Sequence, residues 1–265
     1  MDLKLSGLNA IITGASKGLG LATAKELHHE GANVLINSRS RENLIKAKAQ
    51  LLKKGEDQQK IHIYDGDVSD AVVCNEIARY AKTILGGIDV LITNSGGPPA
   101  GSFEDLDSND WEEAIKLSFM SHLYLIRSCL PHLKRSKFPS VLAVTSFTVK
   151  NPLENLILSN SIRAATAALI KSLSIELGAE GIRFNSILPG WTLTDRVQDL
   201  LTYRAGKNGS SVSAEMEKIT TAIPLRRMAE PDEFARAATF LVSPAASYIN
   251  GVFLNVDGGI SKSLF

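Results

Sequence analysis

Two short stretches hold the residues best placed to do chemistry. The first, "TGASKGLG" (13–20), puts Gly14, Gly18 and Gly20 directly after a strand-like apolar run and at the opening of a helix. Glycine permits the tight turn and lets backbone approach a bound group closely, while the helix N-terminus offers unpaired N–H groups and a positive dipole end. That combination suits a pyrophosphate. The second, "LSNSIRAATAALIKSL" (158–173), reads as a buried helix with Ser159 and Arg163 four residues apart and so on one face. A serine hydroxyl is a much weaker acid than a phenol, and a guanidinium stays protonated, so this pair cannot shuttle a proton unaided.

Such residues need elements to position them. Short runs rich in Ile, Val and Leu recur along the chain: "NAIIT", "NVLIN", "KIHIYDGDV", "DVLITN", "SVLAVTS", "IRFNSIL" and "VFLNVDGG". Near-continuous apolar strands separated by helical stretches predict a parallel sheet covered on both faces, a doubly wound Rossmann-like α/β fold in a single domain. Helical spacing is plain in "LATAKELHHEG", where Leu21, Ala24 and Leu27 make an apolar face and Gly31 a stop, and again at 111–135 and 161–178. Within a segment at about 195–225, "RAGKNGSSVSAE" is polar and flexible in composition, and its place between apolar stretches suggests a mobile lid.

Composition narrows the function. The chain has 265 residues, and its 29 Lys+Arg nearly balance 28 Asp+Glu, so no nucleic-acid groove is implied and a small-molecule partner fits better. Cys74 and Cys129 lie in apolar surroundings without metal-ligand spacing and read as buried thiols in a reducing compartment. No His, Cys and carboxylate cluster implies a metal. His122 and His132 sit in a helical pattern and read as structural. The opening "MDLKLSGLNAIITG" runs straight into a strand, and no apolar run approaches ~18 residues, so a soluble cytoplasmic protein away from membranes is expected.

The glycine spacing departs from the commoner dinucleotide fingerprint. It resembles the short-chain dehydrogenase/reductase family, and the resemblance spans nearly the whole chain through "GDV" (66–68), "TNSG" (93–96), "PGWTLT" (189–194) and "YINGVFLNVDGG" (248–259). It implies a seven-stranded sheet, a homotetramer and a nicotinamide cofactor. Cofactor contacts would come from Gly14, Ser16, Lys17, Gly18, Leu19 and Gly20 in the loop, and from Asp67 and Val68 at the adenine. Asn94 and Gly96 after the fourth strand, Arg163, and Pro189, Gly190, Thr192 and Thr194 at the nicotinamide side complete the set. Thr194 would meet the carboxamide, and Asn94 would also brace the central strands. Where the family reads the adenine ribose, "NSRSREN" puts Ser38 in place of an acid and Arg39 after it. Arginine pairs with a 2′-phosphate, and Lys17 adds a second charge, which favours NADP(H) over NAD.

The same resemblance implies carbonyl reduction or alcohol oxidation by a serine, a tyrosine, a lysine and an asparagine. Here "VTSF" supplies Ser146 for the serine, but the tyrosine and lysine places hold Ser159 and Arg163, and Ser118 in "IKLSFMSH" stands for the asparagine. "SNSIR", "NSGGPPAG" and "TLTDRV" are similar to a 3-oxoacyl carrier-protein reductase-like subgroup with serine and arginine at those places. Proton transfer would then fall to a water held by Ser146, Ser159 and Arg163, to Tyr203 on the lid, or to Lys150. Two expectations follow: an NADP(H)-dependent oxidoreductase with an altered relay, or a non-catalytic NADP-binding sensor or scaffold subunit.

Overall fold

The apolar runs form seven strands: β1 (Asn9–Ile12), β2 (Asn33–Ser38), β3 (Ile61–Asp65), β4 (Val90–Thr93), β5 (Ser140–Val144), β6 (Arg183–Pro189) and β7 (Phe253–Val256). All pair in parallel, in the order β3-β2-β1-β4-β5-β6-β7. The computed structural model describes residues 1–52 and 60–264. Side chains alternate across the pleat. Ala10 and Ile12 of β1, Val34 and Ile36 of β2 and Leu142 and Val144 of β5 share one core with α1 (Gly18–His29), α2 (Arg41–Leu51) and α9 (Pro231–Val242). Ile11, Leu35, Leu91, Val141 and Phe184 face the other way, onto α3 (Ala71–Leu85), α5 (Ser121–Leu133) and α6 (Ile157–Glu176). Each fully buried aliphatic side chain contributes about 1.5–3 kcal/mol, so burial of both faces explains why these strands read as unbroken apolar runs. Cys74 and Cys129 sit in this second core as free thiols. Burial pushes the Cys74 thiol up to about 12 and raises Cys129 as well, which leaves neither reactive.

Strand order reverses between β1 and β4. In a doubly wound sheet the crevice beyond the carboxyl ends at that reversal is where ligands bind, and the ends of β1, β4, β5 and β6 all open there. The long helical pattern after residue 107 is broken: α4 (Ser108–Ile115) passes through a π-turn (Lys116–Met120), which carries Ser118, into α5.

The lid differs from its composition. The segment expected to be flexible forms two helices, α7 (Asp195–Asn208) and α8 (Val212–Ala222), joined at Gly209 in the left-handed conformation (φ +61). Its polar residues act as caps. Ser211 accepts the Ala214 N–H, and the buried Glu215 carboxylate gathers Lys218, Ser210 and Asn208, which together hold its pKa down at about 2. Leu201, Ile219 and Ile223 then pack on Phe147 and Trp191.

Candidate active site

The glycine loop is locked to β4 across the strand reversal. Thr13 donates its hydroxyl to the Asn94 carbonyl at 2.7 Å and accepts the Asn94 N–H at 2.9 Å, while Asn94 Nδ2 donates to the Gly14 carbonyl at 3.2 Å. Asn94 thus braces the central strands with both backbone and side chain. A Cβ on Gly14 would stand 2.8 Å from the Asn94 carbonyl oxygen, and one on Gly20 only 2.4 Å from the Gly14 carbonyl oxygen. Only glycine fits either place. Helix α1, whose first turn holds Leu19, begins just after Ser16 with no side chain capping it, which leaves its first N–H groups without a side-chain acceptor.

On the adenine side, Ser38 ends β2 and Arg39 is exposed just beyond it. Asn37, a polar residue that sequence reasoning passed over, is buried within an apolar strand. Its amide donates to the carbonyls of Tyr64 and Gly66, and its own carbonyl accepts the Ala15 N–H. It joins the glycine loop to the turn where Asp67 accepts Ser69 N–H and hydroxyl, beside the buried Val68. The polar interruption of "NVLIN" was the available signal. Lys17 departs from expectation: its ammonium crosses to Asp195 on α7 at 2.9 Å rather than joining Arg39, because that carboxylate at the helix start lies within its reach.

The nicotinamide-side loop follows β6. Gly190 passes so close to Asp257 that a Cβ would stand 2.6 Å from its Cα, and Pro189 lies in register with Val256. Thr192 is buried with its hydroxyl unpartnered, and Thr194 caps α7 through the Val197 N–H. Thr194 also faces the glycine loop, its Cγ2 lying 3.5 Å from where a Gly18 Cβ would be.

Ser146, two residues past β5 at the start of a 3₁₀ turn, accepts from the Thr148 N–H at 3.2 Å and from its hydroxyl at 3.0 Å. Both lone pairs are engaged, so the serine's own hydrogen is left to donate. Arg163 is 7% exposed and serves as a clamp: Nη1 donates to the carbonyls of Val144 and Thr145, each at 3.1 Å, and Nη2 to that of Gly96 at 3.4 Å. Burial, and then the nearby Arg196 charge, lower its pKa to about 10, so it remains a cation at neutral pH. Ser159 is half-buried one turn earlier on α6. Ser118 is fully buried with an unpartnered hydroxyl, and its carbonyl accepts from Thr166 at 2.6 Å. Lys150 is directed away, its ammonium on the Phe253 carbonyl at 3.3 Å, and Tyr203 is exposed on α7. Arg196, in the first turn of α7, was also missed; its Nη2 donates to the Pro98 carbonyl at 2.6 Å.

His122 is buried beside this site, with Nδ1 2.7 Å from the Thr93 hydroxyl. Burial first, and the Arg163 charge second, push its pKa down to about 3. The unfolded chain, with histidine near 6.5, therefore takes up this proton before the folded one. Stability falls as pH drops below about 6.5, with a slope nearing 1.4 kcal/mol per pH unit until about pH 3, and the group has no such effect above 6.5. His122→Asn should flatten that acid limb. Urea unfolding at stepped pH tests it, and a gap between wild type and variant that stays constant from pH 6.5 to pH 4 would refute it. The half-exposed His132 is also lowered, by burial and then by Arg135 and Lys82. Among the described residues no group of three or more His, Cys, Asp or Glu could hold a metal ion, and no helix is long and apolar enough to cross a membrane.

The chain has known relatives. The profile of a family described as enoyl-(acyl carrier protein) reductase matches residues 14–261. D-beta-hydroxybutyrate dehydrogenase of Cupriavidus necator is 31% identical over 262 residues, covering 96% of this chain and 98% of that protein. L-sorbose reductase from Gluconobacter frateurii, solved in complex with NADPH and L-sorbose, is similar with a TM-score of 0.91 at 27% identity, covering 100% of both chains. A short chain oxidoreductase from Pseudomonas aeruginosa PAO1, described as containing an atypical catalytic center, gives 0.88 at 28% identity over 98% of this chain and 99% of its own. A match that runs unbroken from the glycine loop to the last strand makes this chain a member of the short-chain dehydrogenase/reductase family.

Proposed function

We propose that the protein is an NADP(H)-dependent oxidoreductase that interconverts a carbonyl and an alcohol on a small molecule, through a relay without the family's tyrosine and lysine. The observation that carries this reading is the meeting of a glycine cradle, a serine with its hydrogen free and a buried cation at one strand-reversal crevice. The NADPH bound by L-sorbose reductase supports it. The loop suits the cofactor because Gly14 and Gly20 allow the close backbone approaches that hold its tight turn, and because α1 presents an N-terminus without a side-chain cap to a pyrophosphate.

When bound, the cofactor supplies or takes up the reducing equivalents. Ser146 donates to the substrate oxygen and orients it. The fixed Arg163 charge stabilises negative charge developing on that oxygen, in a site where burial strengthens the interaction. Ser159 reaches less far than a tyrosine, leaving room for a water that carries the proton between substrate and solvent. A second reading, a non-catalytic NADP-binding subunit, is favoured by one observation: Arg163 already holds three backbone carbonyls.

Arg39 has no ionic partner among the described residues and lies beside Ser38, a pairing suited to a 2′-phosphate. Calorimetric titration of nucleotide-free protein should give NADPH at about micromolar Kd and NADH at least about ten-fold weaker. Arg39→Ala should reduce that ratio by about ten-fold, the value of one charge-assisted contact. Failure of both nucleotides to bind would overturn the proposal; binding of both with a ratio untouched by Arg39→Ala would overturn the role of Arg39.

A further inference from the structure

We infer that the substrate carries a carboxylate and that Arg196 recognises it; this rests on reading the crevice as a carbonyl–alcohol site. Arg196 lies in the first turn of α7, and its guanidinium turns back over the loop after β4. Nη2 donates to the Pro98 carbonyl at 2.6 Å, and Nε and Nη2 lie 3.0 and 3.1 Å from where a Gly97 Cβ would be. Two residues away, the Gly96 carbonyl accepts from Arg163. One short loop is therefore gripped by two guanidinium groups, close enough that the charge of Arg196 is felt at Arg163.

The Pro98 carbonyl uses only one of the donors of this exposed arginine. The first turn of a helix carries the positive end of the dipole and disfavours a cation, and a second guanidinium nearby adds repulsion. Among the described residues no carboxylate lies within ion-pairing distance of Arg196. Its neighbour Asp195 is taken by Lys17, and Asp199, one turn on, acts only through its field. A charge placed against its local electrostatics, at the mouth of a ligand crevice, is neutralised when an anion arrives.

The donor inventory selects the anion. Arg196 has five N–H donors, of which Pro98 takes one, so a bidentate fork on a carboxylate remains open. A phosphate dianion calls for a second free cation, and Lys17 is committed to Asp195. Next to Arg196 on α7, the partly buried Val197 and Leu200 form the edge of an apolar cluster centred on the buried Phe147 and Trp191, beside the 3₁₀ turn after Ser146. The site thus fits an oxo or hydroxy acid whose carboxylate is separated from the reacting carbon by a short apolar chain.

Hexanoate and its neutral counterpart hexanamide are titrated calorimetrically on wild type, Arg196→Ala and Asp199→Asn, each with and without NADPH. Wild type should bind hexanoate at least about ten-fold more tightly than hexanamide. That ratio should fall below about two-fold in Arg196→Ala and rise in Asp199→Asn, with NADPH affinity the same in all three proteins. Equal affinity of wild type for acid and amide, absence of hexanoate binding, or a ratio that survives Arg196→Ala would overturn the assignment. Tighter binding of hexyl phosphate than of hexanoate would overturn the carboxylate as the anion. Loss of NADPH binding alone would sink the oxidoreductase reading, while the cofactor-free titrations would still decide the role of Arg196.

Discussion

Ser146→Ala should lower turnover by about a hundred- to a thousand-fold while leaving NADPH affinity within about two-fold, the loss typical of one preorganised donor to a reacting oxygen. Thr148 occupies both lone pairs of the serine, so its hydrogen is left to donate to a substrate oxygen. Alanine removes the donor without touching the glycine loop or the Arg39 end. The cost to the fold is modest: Thr148 loses an acceptor at the start of a short 3₁₀ turn, worth about 1 kcal/mol. Steady-state rates with any carbonyl compound that the wild type reduces, set beside calorimetry with NADPH, separate the two effects. Turnover retained in Ser146→Ala would remove the serine from the chemistry. A wild type that binds NADPH but reduces nothing across a broad panel of oxo acids and ketones would favour the non-catalytic reading.

The sheet was legible because its strands are buried on both faces, which writes them as unbroken apolar runs; "NAIIT" and "SVLAVTS" became β1 and β5 in register with their neighbours. The glycine loop was equally plain, since Gly14 and Gly20 answer close backbone approaches that exclude any side chain. What sequence could not show were contacts set by tertiary geometry. Polar residues at 204–215 looked like flexible coil because the residues that cap helices are those that populate loops. Lys17 read as a second phosphate charge, although its partner Asp195 stands 178 residues away. Arg196 drew no notice, since a lone arginine in a polar segment is ordinary until its head is seen lying on Gly97.

Arg163 is the clearest case of a role hidden from sequence, and the two replacements Arg163→Lys and Arg163→Met should part its functions. Its acceptors, Val144, Thr145 and Gly96, lie 18 to 67 residues away, at the ends of β5 and β4 that shape the crevice. Methionine fills much of the volume but leaves three carbonyls unanswered, and should destabilise the protein by about 2–4 kcal/mol in urea unfolding. Lysine retains a charge and can serve only part of that fork, so about 1–2 kcal/mol is expected. If the cation also stabilises charge on the substrate oxygen, Arg163→Lys should keep turnover within about ten-fold of wild type, whereas Arg163→Met should lose at least about a hundred-fold below its unfolding range. Burial lowers the guanidinium pKa but leaves it far above neutral, so the cation and its contribution should persist through neutral pH. A methionine variant that is destabilised yet turns over at the wild-type rate would restrict Arg163 to the clamp. The negative charge on the substrate oxygen would then have to be met by Ser146 and water alone.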